Sequence, residues 1–168
     1  MIFYKIHKPK ILFVGINPHP GSFKRGVPFS NNKTFWYLLA KAGIINEDLK
    51  NLKDDKKLKE FYLKKFNSIY KLGFVNVINR PTHDITELKH KEEKLGQKRI
   101  SLIIKKEKPE VICFVGKISY EKFSGLKKFS FGWQDKIISS KVFVMHFPLH
   151  GKAIIRIKEL KKIKKEIL

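Results

Sequence analysis

The chain has 168 residues, 42% of them hydrophobic and spread along its whole length, which predicts one folded domain rather than a disordered tail. Its formal charge of +22, from 37 Lys and Arg against 15 Asp and Glu, favours a polyanionic partner, although an AT-rich genome or a thermophilic origin would also enrich lysine. Internal disulfide, iron–sulfur and zinc sites are excluded, because Cys113 is the single cysteine and the histidines lack a zinc-like spacing. A transmembrane role is excluded, because no apolar run approaches the roughly 20 residues of a membrane span.

Alternating strand and helix patterns predict the fold. Four runs rich in Val, Ile and Phe are typical of strands buried on both faces of a mostly parallel sheet, namely Ile11–Ile16, Phe74–Ile78, Val111–Val115 and Val142–Met145. Apolar residues at helical spacing predict helices over Thr34–Ala42, Lys56–Phe66, Gln97–Lys106 and from Ala153 onward. We therefore expect an α/β protein, a single three-layer α/β/α domain over residues 1–168 with a four-stranded, mostly parallel central sheet. Function in such folds collects where strands end, which points to residues 15–32, 79–86 and 145–152.

The loop after the first strand carries the densest signal. It reads GINPHPG over residues 15–21 and is followed by VPFSNN over residues 27–32. Asn17 carries both an acceptor and a donor, so its side chain can hold a water molecule, but capping of a turn is an equally good interpretation. Phe29, beside Pro28, offers a flat face on which a base could stack.

These residues resemble the mismatch-specific uracil/thymine-DNA glycosylase family of the uracil-DNA glycosylase superfamily. The likeness begins with Gly-Ile-Asn-Pro after a strand, continues with Pro-Phe and Asn, and reaches Phe35-Trp36 at the start of a helix. Downstream it includes Asn79-Arg80-Pro81-Thr82, then Val115-Gly116-Lys117 with Tyr120-Glu121, and finally Gly132-Trp133. It extends from about Ile11 to about Leu160.

The resemblance implies a monofunctional DNA-repair glycosylase that flips uracil out of DNA and hydrolyses its N-glycosidic bond. Asn17 would position the attacking water, and the flipped base would be bound by Gly15, Ile16, Pro28, Phe29 and Asn31. Hydrogen bonds would stabilise the departing uracil anion, and a mispair would ease flipping. Uracil opposite G in double-stranded DNA is the expected target. Thymine, ethenocytosine, hypoxanthine, xanthine and single-stranded DNA remain open.

The loop over residues 146–152 departs from the mismatch-specific pattern. The corresponding loop there reads Asn-Pro-Ser-Gly-Leu-Ser-Arg, whereas His146 stands here in the place of the asparagine. It is similar to the His-Pro-Ser-Pro-Leu loop of the wider superfamily, in which the histidine donates to the leaving base. His146 is therefore a second catalytic candidate, with a phosphate contact as the alternative. Leu149 is the favoured wedge into the duplex, and the other expected DNA contacts are Lys24, Arg25, His150, Gly151 and Lys152.

Three further expectations complete the sequence analysis. Asp84 is better explained as a helix cap before Ile85–Leu88 than as a general base with His83. A non-catalytic DNA-binding module on the same fold is the second function class, whereas a nucleotide hydrolase would need clustered carboxylates that the strand ends do not offer. The absence of a signal-peptide layout predicts a cytoplasmic protein. We further expect a nucleoid-associated monomer that needs no metal or cofactor and touches no membrane.

Overall fold

A computed structural model describes residues 1–167 and contains one central sheet. Its strands are β1 (Ile11–Gly15), β2 (Leu72–Asn76), β3 (Val111–Val115), β4 (Gly132–Ile137) and β5 (Ser140–Met145). They lie in the order β2-β1-β3-β5-β4. All neighbouring pairs are parallel except β4 and β5, which pair antiparallel at one edge. The carboxyl ends of four parallel strands therefore meet at one side of the sheet.

Helices connect and cover these strands. They are α1 (Pro20–Arg25), α2 (Thr34–Lys41), α3 (Leu49–Lys53), α4 (Asp55–Phe61), α5 (Glu93–Glu107), α6 (Lys117–Ser124) and α7 (Ala153–Lys165). A π-helical turn, Tyr62–Phe66, continues α4, and a 3₁₀ turn spans Ile85–Glu87. The predicted helices are confirmed with small shifts at their ends, and the short α1, α3 and α6 are additional.

Two hydrophobic cores, one on each face of the sheet, hold the helices in place. Phe13 on β1 points into the core shared with α2, α4 and α7, and its ring meets that of Phe35 edge-on at 5.3 Å. Its neighbours Leu12 and Val14 point into the core shared with α5 and α6. Since both faces of β1 are fully buried, its run of apolar residues has the continuous pattern of a central parallel strand. The three-layer α/β/α architecture is confirmed.

The expected four-stranded sheet is wrong by one strand, because β4 has no continuous apolar run. Its residues GWQDKI alternate between half-buried and exposed, since this edge strand packs on one face only. Trp133 remains 42% exposed, although its ring packs edge-on against Phe143 at 4.9 Å. The second strand is displaced by two residues, because the apolar run predicts Phe74–Ile78 and β2 spans Leu72–Asn76.

Candidate active site

A cleft of about 560 Å³ lies at the carboxyl edge of the sheet. It is lined by residues that follow β1, β2, β3 and β5, including Asn17, Phe29, His146 and Leu149. Volumes of this size are typical of small-molecule sites and can hold a single extruded base. All three segments that the sequence singled out, residues 15–32, 79–86 and 145–152, thus contribute to one cavity.

The Asn17 carboxamide is held in one orientation at this cleft. Its Nδ2 donates to the Arg80 carbonyl oxygen at 3.2 Å and to Thr82 Oγ1 at 2.7 Å. A backbone carbonyl can only accept, so the amide nitrogen must be the atom that faces Arg80. Within residues 1–167 no protein group donates to Asn17 Oδ1, which leaves that oxygen free to accept from a water molecule.

The segment that anchors Asn17 is itself fixed. The backbone N–H of the buried Thr82 donates to the Pro18 carbonyl at 3.2 Å, joining the two strand-end loops. The Arg80 guanidinium forms a two-pronged ion pair with Glu92, at 2.7 Å and 2.9 Å. Its hydrogen bonds to the Glu92 carboxylate lower the pKa of Glu92 to about 2. The Arg-Pro-Thr segment therefore serves as a support for Asn17.

Phe29 forms an aromatic wall of the cleft and has a strained backbone. Its φ is +53°, a left-handed conformation that a bulky side chain rarely adopts and that costs on the order of 1–3 kcal/mol. The ring is held by Phe35 at 4.8 Å, Phe74 at 5.6 Å and Phe147 at 6.1 Å. The preceding Pro28 carbonyl accepts from the indole N–H of the buried Trp36. Core packing thus holds a half-buried ring at the cavity.

Asn76, the last residue of β2, is a cleft residue that the sequence analysis missed. It is buried, and its Nδ2 donates to the Tyr4 hydroxyl at 2.8 Å. A Cβ added at Gly15 would lie 2.5 Å from Asn76 Oδ1, so only glycine leaves room for this amide. Gly15 itself ends β1 and is not among the residues that line the cavity. Its proposed part in base binding is thus the space that it leaves for Asn76.

His146 lines the cleft from the loop that follows β5, and its side chain is held there by two neighbours. Its Nδ1 lies 2.5 Å from Glu159 Oε1, and its backbone N–H donates to Glu159 Oε2 at 3.0 Å. Phe131 stacks on the imidazole at a centroid distance of 3.6 Å. Glu159 lies on α7, thirteen residues further along the chain and between lysines, so no local sequence motif marks it.

A buried arginine shapes the loop over residues 146–152. Arg156 on α7 donates to the Phe147 carbonyl at 2.6 Å and to the Lys152 carbonyl at 2.7 Å. These two bonds fix both ends of the loop, leaving Leu149 at the cleft mouth with 43% of its surface exposed. The ring of His150 packs against Phe147 at 5.5 Å.

The arrangement of these cleft residues is explained by the protein family that the chain matches. The family model described as Uracil DNA glycosylase superfamily matches residues 1–166. The chain belongs to the uracil DNA glycosylase superfamily. Members of this superfamily are DNA glycosylases, hydrolases that act on DNA, and the family resemblance read from the sequence is confirmed at this level.

The remaining predicted base and DNA contacts of this superfamily member lie in different places. Ile16, Pro28 and Asn31 line the cleft together with Leu149 and His150. Lys24 and Arg25 are exposed on α1 outside it, and Arg25 pairs with Asp55 at 3.3 Å. Gly151 and Lys152 are exposed at the start of α7. Lys24, Arg25, Gly151 and Lys152 therefore lie outside the cleft, and their contact with DNA stays a prediction.

Asp84 is the one carboxylate among the cleft-lining residues within the described part of the chain, and it serves as a cap. Its carboxylate accepts from the Thr86 backbone N–H at 2.8 Å, and the backbone N–H of Asp84 donates to the Glu87 carboxylate at 2.9 Å. The Thr86 N–H lowers the pKa of Asp84, so this carboxylate is a weak base. The expected capping role is confirmed.

Residues 1–167 contain neither a metal-binding cluster nor a membrane-spanning helix. No group of three or more His, Cys, Asp or Glu side chains is arranged to hold a metal ion. None of the helices there has both the length and the apolar character needed to cross a membrane.

Proposed function

We propose that this chain removes uracil from DNA by flipping the base into the cleft and hydrolysing its N-glycosidic bond, leaving an abasic site. The observation that carries the proposal is the Asn17 amide, which lines the cleft beside Phe29. Its Nδ2 is held by two hydrogen bonds, and its Oδ1 is free to accept. An oxygen held this way can orient a water molecule toward a deoxyribose carbon without acting as a base.

The base slot fits a pyrimidine that carries a hydrogen on N3. The Phe29 ring offers a face for stacking, and the buried Asn76 lines the same cavity. Because Asn76 donates one Nδ2 hydrogen to Tyr4, the side chain is oriented with Oδ1 as its acceptor. Uracil presents an N3–H donor to such an acceptor, whereas cytosine presents a lone pair. Discrimination against cytosine follows from this difference.

Release of the base develops negative charge on the uracil ring. Donors aimed at that charge in a water-poor site are the largest single contribution to many hydrolytic reactions, and one donor is worth about 10²–10³ in rate. His146 lies across the cleft from the Asn76 end and is the side chain in the best position to donate. Asn17 and His146 are thus the proposed catalytic pair.

The proposed substrate is duplex DNA with uracil opposite G, bound by a monomer of the mismatch-specific branch. The charge of +22 supplies sequence-independent affinity through counterion release. The exposed Leu149 would fill the gap that the flipped base leaves. A mispaired uracil costs less to extrude than a paired one, which favours this target.

The test is base release from an end-labelled duplex with a single U·G pair, followed by alkali cleavage of abasic sites. We expect Asn17→Ala to keep DNA binding and to lower the single-turnover rate by about 10²–10³. Asn46→Ala, an exposed asparagine outside the cleft, is the matched control and should behave as wild type.

The alternative, a DNA-binding module without turnover, is motivated by the departures in the 146–152 loop. Wild-type protein that binds the U·G duplex but yields no alkali-sensitive strand at any enzyme excess would establish it. An unchanged rate in Asn17→Ala would instead refute the role given to that residue.

A further inference from the structure

The His146–Glu159 pair restricts which hydrogen atoms the imidazole can carry. Both carboxylate oxygens of Glu159 face His146: Oε1 meets the ring Nδ1 at 2.5 Å and Oε2 accepts from the backbone N–H at 3.0 Å. An ionised carboxylate only accepts, so Nδ1 must carry its hydrogen. The second ring nitrogen, Nε2, then carries a hydrogen only when the imidazole is doubly protonated. A neutral His146 would present a lone pair instead.

We propose that Glu159 is a positioning residue that makes His146 act as an imidazolium: Nε2–H donates to the leaving base only in the charged ring. This inference rests on the proposed function, because it needs a base that departs as an anion. Glu159 touches no substrate and acts through the tautomer and the charge of His146.

The topology supports a donor at this position. β2 and β5 are separated by β1 and β3, so their ends lie about 14 Å apart at about 4.8 Å per strand spacing. Asn76 ends β2 and His146 follows β5, and both side chains extend into the cavity from these two sides. The span leaves space for one pyrimidine between them, with its N3 edge toward Asn76 and another edge toward His146.

The imidazole plane is fixed as well as its tautomer. The Phe131 ring lies nearly parallel to it, with 20° between the planes, and Lys117 Nζ stands 5.3 Å from the centre of the Phe131 ring. Stacking on Phe131 and the bond between Nδ1 and Glu159 Oε1 together oppose a rotation of the ring that would exchange its nitrogens.

Charge balance favours donation by the charged ring. Glu159 is buried, and an isolated buried carboxylate is costly unless a cation accompanies it. An imidazolium paired with this carboxylate is neutral overall, whereas a neutral imidazole leaves a negative charge beside the departing anion. The other ionisable groups around the pair are Arg156 on α7, Lys117 on α6, the buried Cys113 on β3, His150 in the same loop, and His19, His83 and Asp84, which also line the cleft.

The substitution Glu159→Gln distinguishes a role of Glu159 in the protonation of His146 from a purely structural role. The His146 backbone N–H requires an acceptor, so the glutamine oxygen would turn toward it and the amide NH₂ would face Nδ1. A ring that accepts at Nδ1 carries its hydrogen on Nε2 and donates while neutral. The substitution therefore removes the need for a charged ring and keeps the donor.

The first experiment measures single-turnover release of uracil between about pH 5.5 and pH 9, the range in which histidines titrate. The wild-type rate should fall about tenfold per pH unit once His146 loses its second proton, and level off after about 10²–10³-fold. Glu159→Gln should flatten this fall, and His146→Ala should be slow and flat throughout. Glu166→Gln, an exposed glutamate near the end of the same helix, should keep the wild-type profile. The same falling limb in Glu159→Gln would overturn the inference.

The second experiment does not depend on turnover and observes His146 in the wild-type protein. ¹⁵N NMR of histidine-labelled wild-type protein, with His146→Ala to assign the signals, should show that rising pH removes the proton from Nε2 and keeps the one on Nδ1. A neutral His146 protonated on Nε2 would overturn the inference. Failure to release uracil at every pH would overturn the proposed function instead, since the NMR result stands on its own.

Discussion

Thr82→Val removes a single hydrogen bond that orients the proposed water-holding amide. The Asn17 Nδ2 bond to Thr82 Oγ1 is 2.7 Å long, and the second bond, to the Arg80 carbonyl, remains at 3.2 Å. A hydrogen bond between neutral groups contributes about 0.5–1.5 kcal/mol net, and 1.36 kcal/mol corresponds to about tenfold in rate. Because the Arg80 carbonyl still holds the amide, we expect base release to slow by about threefold to tenfold, less than in Asn17→Ala.

The assay is single-turnover release from a U·G duplex, combined with a double-mutant cycle. If Thr82 acts only through Asn17, the variant Asn17→Ala with Thr82→Val should be no slower than Asn17→Ala alone, since interacting residues are not additive. Thr82→Ser keeps the hydroxyl and should retain the wild-type rate. Rate losses that multiply in the double variant would refute the reasoning, because they would show that Thr82 acts independently of Asn17.

Two further predictions concern the loop and the support of the site. Leu149→Ala should lower release from duplex DNA about tenfold and spare single-stranded DNA, where no gap has to be filled. Ile154→Ala, exposed on α7 outside the cleft lining, is its control, and equal losses on both substrates would contradict a wedge. Glu92→Gln should lower the free energy of unfolding at pH 7, because the pKa of Glu92 is depressed in the folded chain. Urea denaturation at a series of pH values should show that the difference in unfolding free energy from wild type shrinks as the pH falls below 4.5, the usual pKa of a glutamate, and vanishes at about pH 2. A difference that does not change with pH would contradict the ion pair as its cause.

The parts of the site that were predictable are those encoded by neighbouring residues. A buried apolar strand that ends in Gly-Ile-Asn-Pro delivers Asn17 to the edge of a parallel sheet whatever the rest of the chain does. Phe29 follows nearby and is held by core aromatic rings. Both side chains were therefore placed in the correct loops from local pattern alone.

The parts that were missed depend on tertiary contacts. Glu159 appears in the sequence as one more charged residue on an amphipathic helix, and only the packing of α7 against β5 brings it under His146. In the sequence Asn76 is a polar residue that interrupts an apolar run. Its place in the cleft follows only from the pairing of β1 with β2, which brings Gly15 beside it and leaves room for its side chain. β4 escaped detection because an edge strand exposed on one face lacks the apolar run that identified the other strands.

Asp84, the one acidic residue that lines the cleft within residues 1–167, constrains the mechanism further. Asp84 accepts a backbone N–H and has a lowered pKa, which makes it a poor acceptor for a proton from water. Asn17 can orient a water molecule but has no basic site at neutral pH. With neither group able to deprotonate the water early, attack would have to follow extensive cleavage of the bond to the base, when the sugar already carries positive charge. The barrier would then depend strongly on how well the departing base is stabilised, which makes donation by His146 as important for the rate as the orientation of water by Asn17.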